Sequence, residues 1–346
     1  MTKRERVQAA IEHREPDRVP KGELLISPTL VERVVGVSTG PWEALREFID
    51  RINADLVVVP PEVPSPVASG LQHMGEDLFM DHWGRTFTRW HDCSYYHGEA
   101  FKLERGIATL QLPELDDYTT GQVEYFAGNT GLFVFGLVDG GFQLATSLMG
   151  FEPFLMACLN NTEKIAALIE RLEDFQVEVA LKMVKAGAHG IIIADDFAYA
   201  RNTLVSPQVL QFTLFPALKK AVQALHQAGV PVFLHCDGNI TKVLPDLVAT
   251  GIDGLQCLES AAGMDLQAIK AQWGDKLCLM GNLDISLLEP GADETSLRET
   301  VRQAVQAAAP GGGYIFSTSA GLTQDTGWPK LQLAYRLAEE LGEYKI

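Results

Sequence analysis

Pro231-Val232-Phe233-Leu234-His235-Cys236-Asp237-Gly238-Asn239 opens on a proline, runs through three apolar residues, turns abruptly polar, and ends in a glycine and an asparagine. That is the pattern of a buried parallel strand whose carboxyl end opens into a turn. Side chains two apart share one face of a strand, so His235 and Asp237 point the same way and Cys236 the other. An imidazole converging with a carboxylate at a strand end suits a metal, a proton relay or hydrogen bonds to a substrate. A buried histidine satisfied by a neighbouring aspartate uses the same residues. The other strand ends decide between these readings.

Working toward the N-terminus, Ile191-Ile192-Ile193-Ala194 is a short buried strand that ends in Asp195-Asp196. A long helix over 162–186, capped by Asn161, precedes it, with Ile165, Leu168, Ile169 and Leu172 at helical spacing. A strand over 132–138 ends in Asp139-Gly140-Gly141, and Ala54-Asp55-Leu56-Val57-Val58-Val59-Pro60 reads as a strongly β-branched buried strand stopped by prolines. Helices over 3–13, capped by Thr2 with Val7, Ala10 and Ile11 on one face, and over 42–53 flank a short strand at 23–26. Toward the C-terminus, helices over 207–228, 241–250, 265–273 and 294–308 alternate with strands. These are 254–259, then 276–280 ending in Gly281-Asn282-Leu283-Asp284, then 314–317; a last helix covers 329–341. Strands followed by helices in this way need parallel crossovers, and eight of them close a (β/α)8 TIM barrel. The alternative, an open doubly wound sheet, usually carries a glycine fingerprint after its first strand, and 57–66 has none. Residues 70–125 break the rhythm: the aromatic-rich alternation around Gly84 reads as antiparallel hairpins inserted after the second strand.

The chain of 346 residues, 47% of them hydrophobic, is long enough for one such barrel as a single domain over 1–346. A formal net charge of −17 argues against nucleic acid, which is bound through a basic footprint. No apolar run approaches the ~20 residues of a membrane span, so no membrane partner is expected. The start, Met1-Thr2-Lys3-Arg4-Glu5-Arg6, lacks the apolar segment of a secretory signal. Five cysteines without CxxC spacing fit a reducing, cytoplasmic setting.

In a barrel the residues past each strand's carboxyl end converge on one mouth, where the chemistry lies. Here they are Asp139, Asp195, Asp196, His235, Asp237, Asn239, Glu259, Asn282, Asp284, Ser317 and Ser319. Each Asp or Asn is also an ordinary turn residue, and Asp284 reads equally as the cap of a short turn. For a metal, His235 and Asp237 are donors of the kind zinc takes, and Glu259, or Cys257 on the same face, supplies a third ligand. Cys278 lies too deep and reads as a small core residue. His73, His82, His91 and His97 in the insertion match no metal spacing and read as loop histidines.

The opening Lys3-Arg4-Glu5-Arg6-Val7 with Pro16-Asp17-Arg18-Val19-Pro20 resembles the N-terminal signature of the uroporphyrinogen decarboxylase superfamily. So do His235-Cys236-Asp237-Gly238-Asn239, Gly281-Asn282-Leu283-Asp284 and Pro310-Gly311-Gly312-Gly313-Tyr314-Ile315-Phe316. The resemblance covers essentially the whole chain and implies a (β/α)8 barrel. In true uroporphyrinogen decarboxylases, arginines after the first helix grip the substrate's carboxylates, and an aspartate follows the second strand. Here those places read Lys21-Gly22-Glu23-Leu24-Leu25 and Pro60-Pro61-Glu62. A polycarboxylate facing an acidic rim without arginines is repelled. The superfamily's other branch is similar to corrinoid-dependent methyltransferases, in which a His-x-Cys pair and a distant Cys hold zinc for a thiol. His235 matches that histidine, Asp237 takes the place of the second ligand, and no late cysteine lies near Ser319-Ala320-Gly321. Fewer thiolates make a harder, more Lewis-acidic site, suited to polarising an ether or amine. The resemblance therefore implies an O-demethylase-like or N-demethylating methyltransferase. Its small-molecule methyl donor gives a methyl group to cobalamin carried on a corrinoid protein, or the methyl group passes from that protein to an acceptor. His235, Asp237 and Glu259 would hold zinc, with Asp195, Asp196 and Glu259 as candidate acids. Asp139, Asn239, Asn282, Ser317 and Ser319 would contact substrate. A metal-free decarboxylase using the same acids is the alternative.

Overall fold

Seven parallel strands follow one another in chain order across a single sheet. They are β1 (Leu56–Val59), β2 (Phe133–Asp139), β3 (Gly190–Ala194), β4 (Val232–His235), β5 (Gly254–Cys257), β6 (Cys278–Leu283) and β7 (Tyr314–Thr318). The computed structural model describes residues 1–36, 40–63, 78–90, 93–97 and 100–344. Helices link successive strands, the longest being Thr162–Lys185, as parallel pairing requires.

The eighth strand, expected at 23–26, is not one. Lys21 and Ile26 make only isolated parallel bridges, to Phe316 and Leu322. Residues 20–22 nevertheless bond both outer strands. On one side Phe316 N donates to Pro20 O (2.9 Å) and Gly22 N to Phe316 O (3.1 Å). On the other, Asp55 N donates to Lys21 O (2.7 Å). Pro20 has no N–H to continue a ladder, which keeps this segment short.

Inside the curl of the sheet, Leu24, Leu56, Val58, Phe133, Phe135, Ile192, Phe233, Cys278, Met280 and Ile315 form one apolar cluster. Val7, Ala10 and Ile11 of helix Lys3–Ile11 join it, so the expected face of that helix is buried there. Cys278 is thus a core residue, as read. Thr2 caps the helix in a capping box with Glu5. The opening charged motif is structural. Arg6 Nη1 donates to Asp55 Oδ1 (2.7 Å), Arg18 Nη1 and Nη2 reach the same carboxylate at 2.9 Å, and Asp55 is fully buried.

Other departures have local causes. The helix expected over 207–228 is two, Pro207–Thr213 and Phe215–Gln227. Pro216 cannot supply an N–H and disfavours helical geometry in the residue before it. Asn161 occupies the N-cap of Thr162–Lys185 without a side-chain capping bond. Asp284 does cap the turn Ile285–Leu288, accepting from Ser286 N. The insertion forms an antiparallel sheet of Leu78–Met80, Thr86–Trp90 and Cys93–Tyr96. Beyond residue 100 it consists of short 3-10 turns and helix Gly121–Asn129 rather than hairpins. No single helix among the described residues is long and apolar enough to cross a membrane.

Candidate metal centre at the strand ends

Strand register sets the site. Asp139 pairs with Ala194, Ala194 with His235, and His235 with Gln256, so these residues form one row near the carboxyl ends of β2 to β5. Phe233, two residues before His235, belongs to the cluster inside the sheet, so alternation turns the ring of His235 inward as well. His235 is buried, with 7% of its surface exposed.

Asp196, His235 and Asp237 each offer a ligand atom, all within 4.8 Å of one another. His235 Nε2 stands 3.8 Å from Asp196 Oδ1 and 3.8 Å from Asp237 Oδ1. Metal–ligand bonds of about 2.0–2.2 Å at a tetrahedral angle put ligand atoms roughly 3.4 Å apart, so small side-chain adjustments suffice for one ion. The other ring nitrogen is committed: His235 Nδ1 bonds Gln256 Oε1. Gln256 Nε2 faces the carbonyls of Thr318 and Ser319, both at 3.4 Å, which assigns its oxygen to the ring. Nδ1 is therefore the donor of that bond, and in the neutral ring Nε2 is the nitrogen that offers a lone pair on the side of the two aspartates.

Alternation also separates Asp195 from Asp196. Asp195 is buried and turns away to helix Gly141–Met149, accepting from Gln143 N (2.7 Å) and Phe142 N (3.3 Å). Burial, then the neighbouring Glu173, pushes its carboxyl well above the usual range. Glu173 accepts from Gly141 N at 2.7 Å, and burial raises it to about 7. Gly140 permits this closure, because a Cβ there would lie 2.3 Å from Asp195.

Glu259 is not in the ligand group; its Oε2 accepts from Gly238 N at 2.9 Å. Gln256 holds the inward face of β5, so alternation turns residues 257 and 259 the other way, and the strand is broken before Glu259 by Cys257 and Leu258, whose φ angles are 91° and 55°. Cys257 Sγ donates to Asp237 Oδ1 (3.1 Å), and burial raises its thiol, so it offers a proton rather than a thiolate. Cys236 faces away, and burial raises it too. Asn239 shapes its own loop, giving Nδ2 to Ala262 O and accepting from Thr241 N. Asn282 lines a separate depression with Ser260 and Asp265. Ser317 Oγ donates to Glu23 Oε2 (3.2 Å), while Ser319 supports Gln256 through its carbonyl. Asp139 stands next to the group along the row, and burial raises its carboxyl. His82 and His97 bond Tyr118 and Thr88, away from the ligand group; His73 and His91 lie outside the described residues.

Two buried groups had no place in the sequence reading. Gln256 is a polar residue inside an apolar strand, a signal available but unused. Glu23 accepts from Ser317, Thr318 and Tyr335, with burial lifting it to about 7.

A parallel sheet curled around an apolar core, with titratable groups gathered at its carboxyl ends, defines an α/β enzyme of the TIM-barrel-like class. The uroporphyrinogen decarboxylase family model matches residues 117–341, and the chain belongs to that family. A uroporphyrinogen decarboxylase from Saccharophagus degradans is 28% identical over 202 residues, 57% of this chain and 53% of that protein. The methylcobamide:CoM methyltransferase MtbA of Methanosarcina acetivorans is 26% identical over 195 residues, 55% of this chain and 56% of that one. The chain thus spans about half the length of the curated relatives it matches. A solved methyltransferase from Methanosarcina mazei superposes with a TM-score of 0.76 at 19% identity, covering 98% of this chain and 99% of its own. That likeness extends the fold assignment to nearly the full length.

Proposed function

We propose that this chain is the substrate-side methyltransferase of a corrinoid system. It moves a methyl group from a small methoxylated or N-methylated compound to a cobalamin-binding partner protein. The observation that carries the reading is the Asp196–His235–Asp237 group with Nε2 free and Nδ1 fixed by Gln256. We read the whole chain as one (β/α)8 barrel domain in which residues 20–22 stand in for a strand.

The donor set fits zinc: one neutral imidazole nitrogen and two carboxylates, with the nearby thiols kept protonated. Zinc held there would supply Lewis acidity toward the heteroatom that loses its methyl group. Asp196 accepts from Asp237 N (2.9 Å), tying the two ligand loops together, and Glu259 holds the loop through Gly238. In such a transfer the electron pair of the broken carbon–heteroatom bond would stay on the heteroatom, and the pair for the new bond to the methyl carbon would come from the partner's reduced corrinoid. The mouth must therefore lie open to a second protein.

Relatives bearing both names keep a metal-free carboxy-lyase as the second reading. Against it, Lys21 is buried with Nζ on Glu339 (2.6 Å), and Glu62 is occupied by Gly121 N and Thr119. Lys21 is thus not free to grip a substrate carboxylate, and Glu62 already serves as an acceptor for the chain itself. The test supplies zinc, a cob(I)alamin protein and a panel of methoxyarenes and methylamines, and follows methylcobalamin formation by absorbance. Transfer that disappears in His235→Ala is expected. No transfer from any compound, with CO2 released from a carboxylated substrate by metal-free protein, would replace methyl transfer with the lyase.

A further inference from the structure

One strand over from the ligand group, the antiparallel insertion leans on the end of β2 and encloses a pocket of about 270 Å³. Three buried aromatic rings line it, Trp83, Phe87 and Tyr118, while Tyr96 stands at the rim with the Arg85 guanidinium already over its ring, 4.2 Å from the centroid. Asp139, the last residue of β2, lines it as well. Among the described residues its carboxyl has no hydrogen bond and no ion pair, although it is only half-exposed to solvent.

The charges around the pocket can be followed one by one. Arg85 is its one permanent cation among the described residues, and it is fully engaged. Nε donates to Asp81 Oδ2 (2.7 Å), Nη1 to Ser147 Oγ (2.9 Å) and Nη2 to Tyr96 OH (3.3 Å), while Nη2 also pairs with Asp81. Asp81 and Arg85 cancel. His82 bonds the Tyr118 hydroxyl, and burial lowers its pKa, so it adds no positive charge at neutral pH. Asp139 has no direct partner of its own: Arg85 acts on it only at a distance, opposed there by Asp81 and Asp196.

We propose that this pocket takes the cationic, N-methylated head group of the substrate, with Asp139 as its counter-charge and the aromatic rings as its wall. An ammonium nitrogen has no lone pair for zinc, so this group anchors the substrate and the transferred methyl comes from another heteroatom of it. That the anchored molecule is a methyl donor rests on the methyl-transfer reading, and the binding does not. An aromatic enclosure with one unpaired carboxylate is what an alkylammonium ion needs, because ring faces attract the cation and the carboxylate balances its desolvated charge. A neutral methoxyarene would leave Asp139 buried without a partner, and a carboxylated ligand would meet Asp139 and Asp196 as like charges. In the strand register Asp139 lies beside Ala194, one strand from Asp196 and two from His235.

Calorimetric titration of the full chain, metal-free and zinc-loaded, with choline and its uncharged isostere 3,3-dimethylbutan-1-ol tests this. Choline is expected to bind at least about tenfold more tightly, and Asp139→Asn, checked for an unchanged melting temperature, to remove that preference. The isostere comparison on the unmodified chain stands without any variant. Equal binding of the two, binding of neither, or a preference that survives in folded Asp139→Asn would overturn the proposal. Choline preference without methyl transfer would sink only the enzymatic reading. Methyl transfer with equal binding would sink only the pocket.

Discussion

Gln256 is 1% exposed and settles which nitrogen of His235 faces the mouth. Replacing it by methionine keeps the volume and removes the acceptor, so the ring loses its fixed tautomer and orientation. Zinc affinity in Gln256→Met is predicted to fall by about 10–100-fold with little change in fold, measured by competition with a chromophoric chelator. Part of this was legible in the sequence. Alternation places His235 and Asp237 on one side of β4, and both are there. It also separates Asp195 from Asp196 once the strand's last inward residue, Ala194, is known. Glu259 was misplaced because Gln256 takes the inward face of β5 and turns residues 257 and 259 away, and residue type alone does not say which face of that strand looks in. Gln256 touches His235 only through the register of β4 on β5, which a single strand's pattern does not carry.

The start of helix Gly141–Met149 is the element on which two buried acids depend. Glu173 and Asp195 accept its first backbone N–H groups, as orphan donors at a helix N-terminus require. Glu173 titrates near 7 in the fold against an ordinary value of 4.5, raised by burial. The folded state therefore binds the extra proton between those values, and the stability it contributes is full below about 4.5 and lost as pH rises through about 7. Glu173→Gln keeps an acceptor for Gly141 N and removes the titration. Urea denaturation should show the wild type losing stability between pH 5 and 8, and the variant losing less by on the order of 2–3 kcal/mol. An unchanged slope would mean that the carboxyl is solvated. Asp139-Gly140-Gly141 reads locally as a turn, and the caps arrive from 32 and 52 residues away, so this helix left no mark in the sequence.

Across the whole molecule, the N-terminal segment joins the two outer strands of the sheet, and Asp55 is where its charges meet. Arg6 and Arg18 converge on that carboxylate, and Lys21 N donates to it at 3.0 Å. Asp55→Ala would leave two guanidinium groups short of their buried partner, a loss of about 3–5 kcal/mol seen in denaturant midpoints. Zinc affinity of the folded fraction should be unchanged, because the network lies by the first strand's entry and not at the mouth. The alternation of strands and helices made the architecture legible, since crossovers admit few topologies. The missing strand was not legible, because residues 20–22 act through bonds to both neighbours and not through a pattern of their own. The central claim is that the ends of β3 and β4 form a site for one ion. Zinc content after loading and gel filtration, compared between the wild-type chain and His235→Ala, tests it most directly. Stoichiometric zinc in the first and none in the second is the predicted result; a wild type that retains no zinc, or a variant that keeps it, would contradict the account.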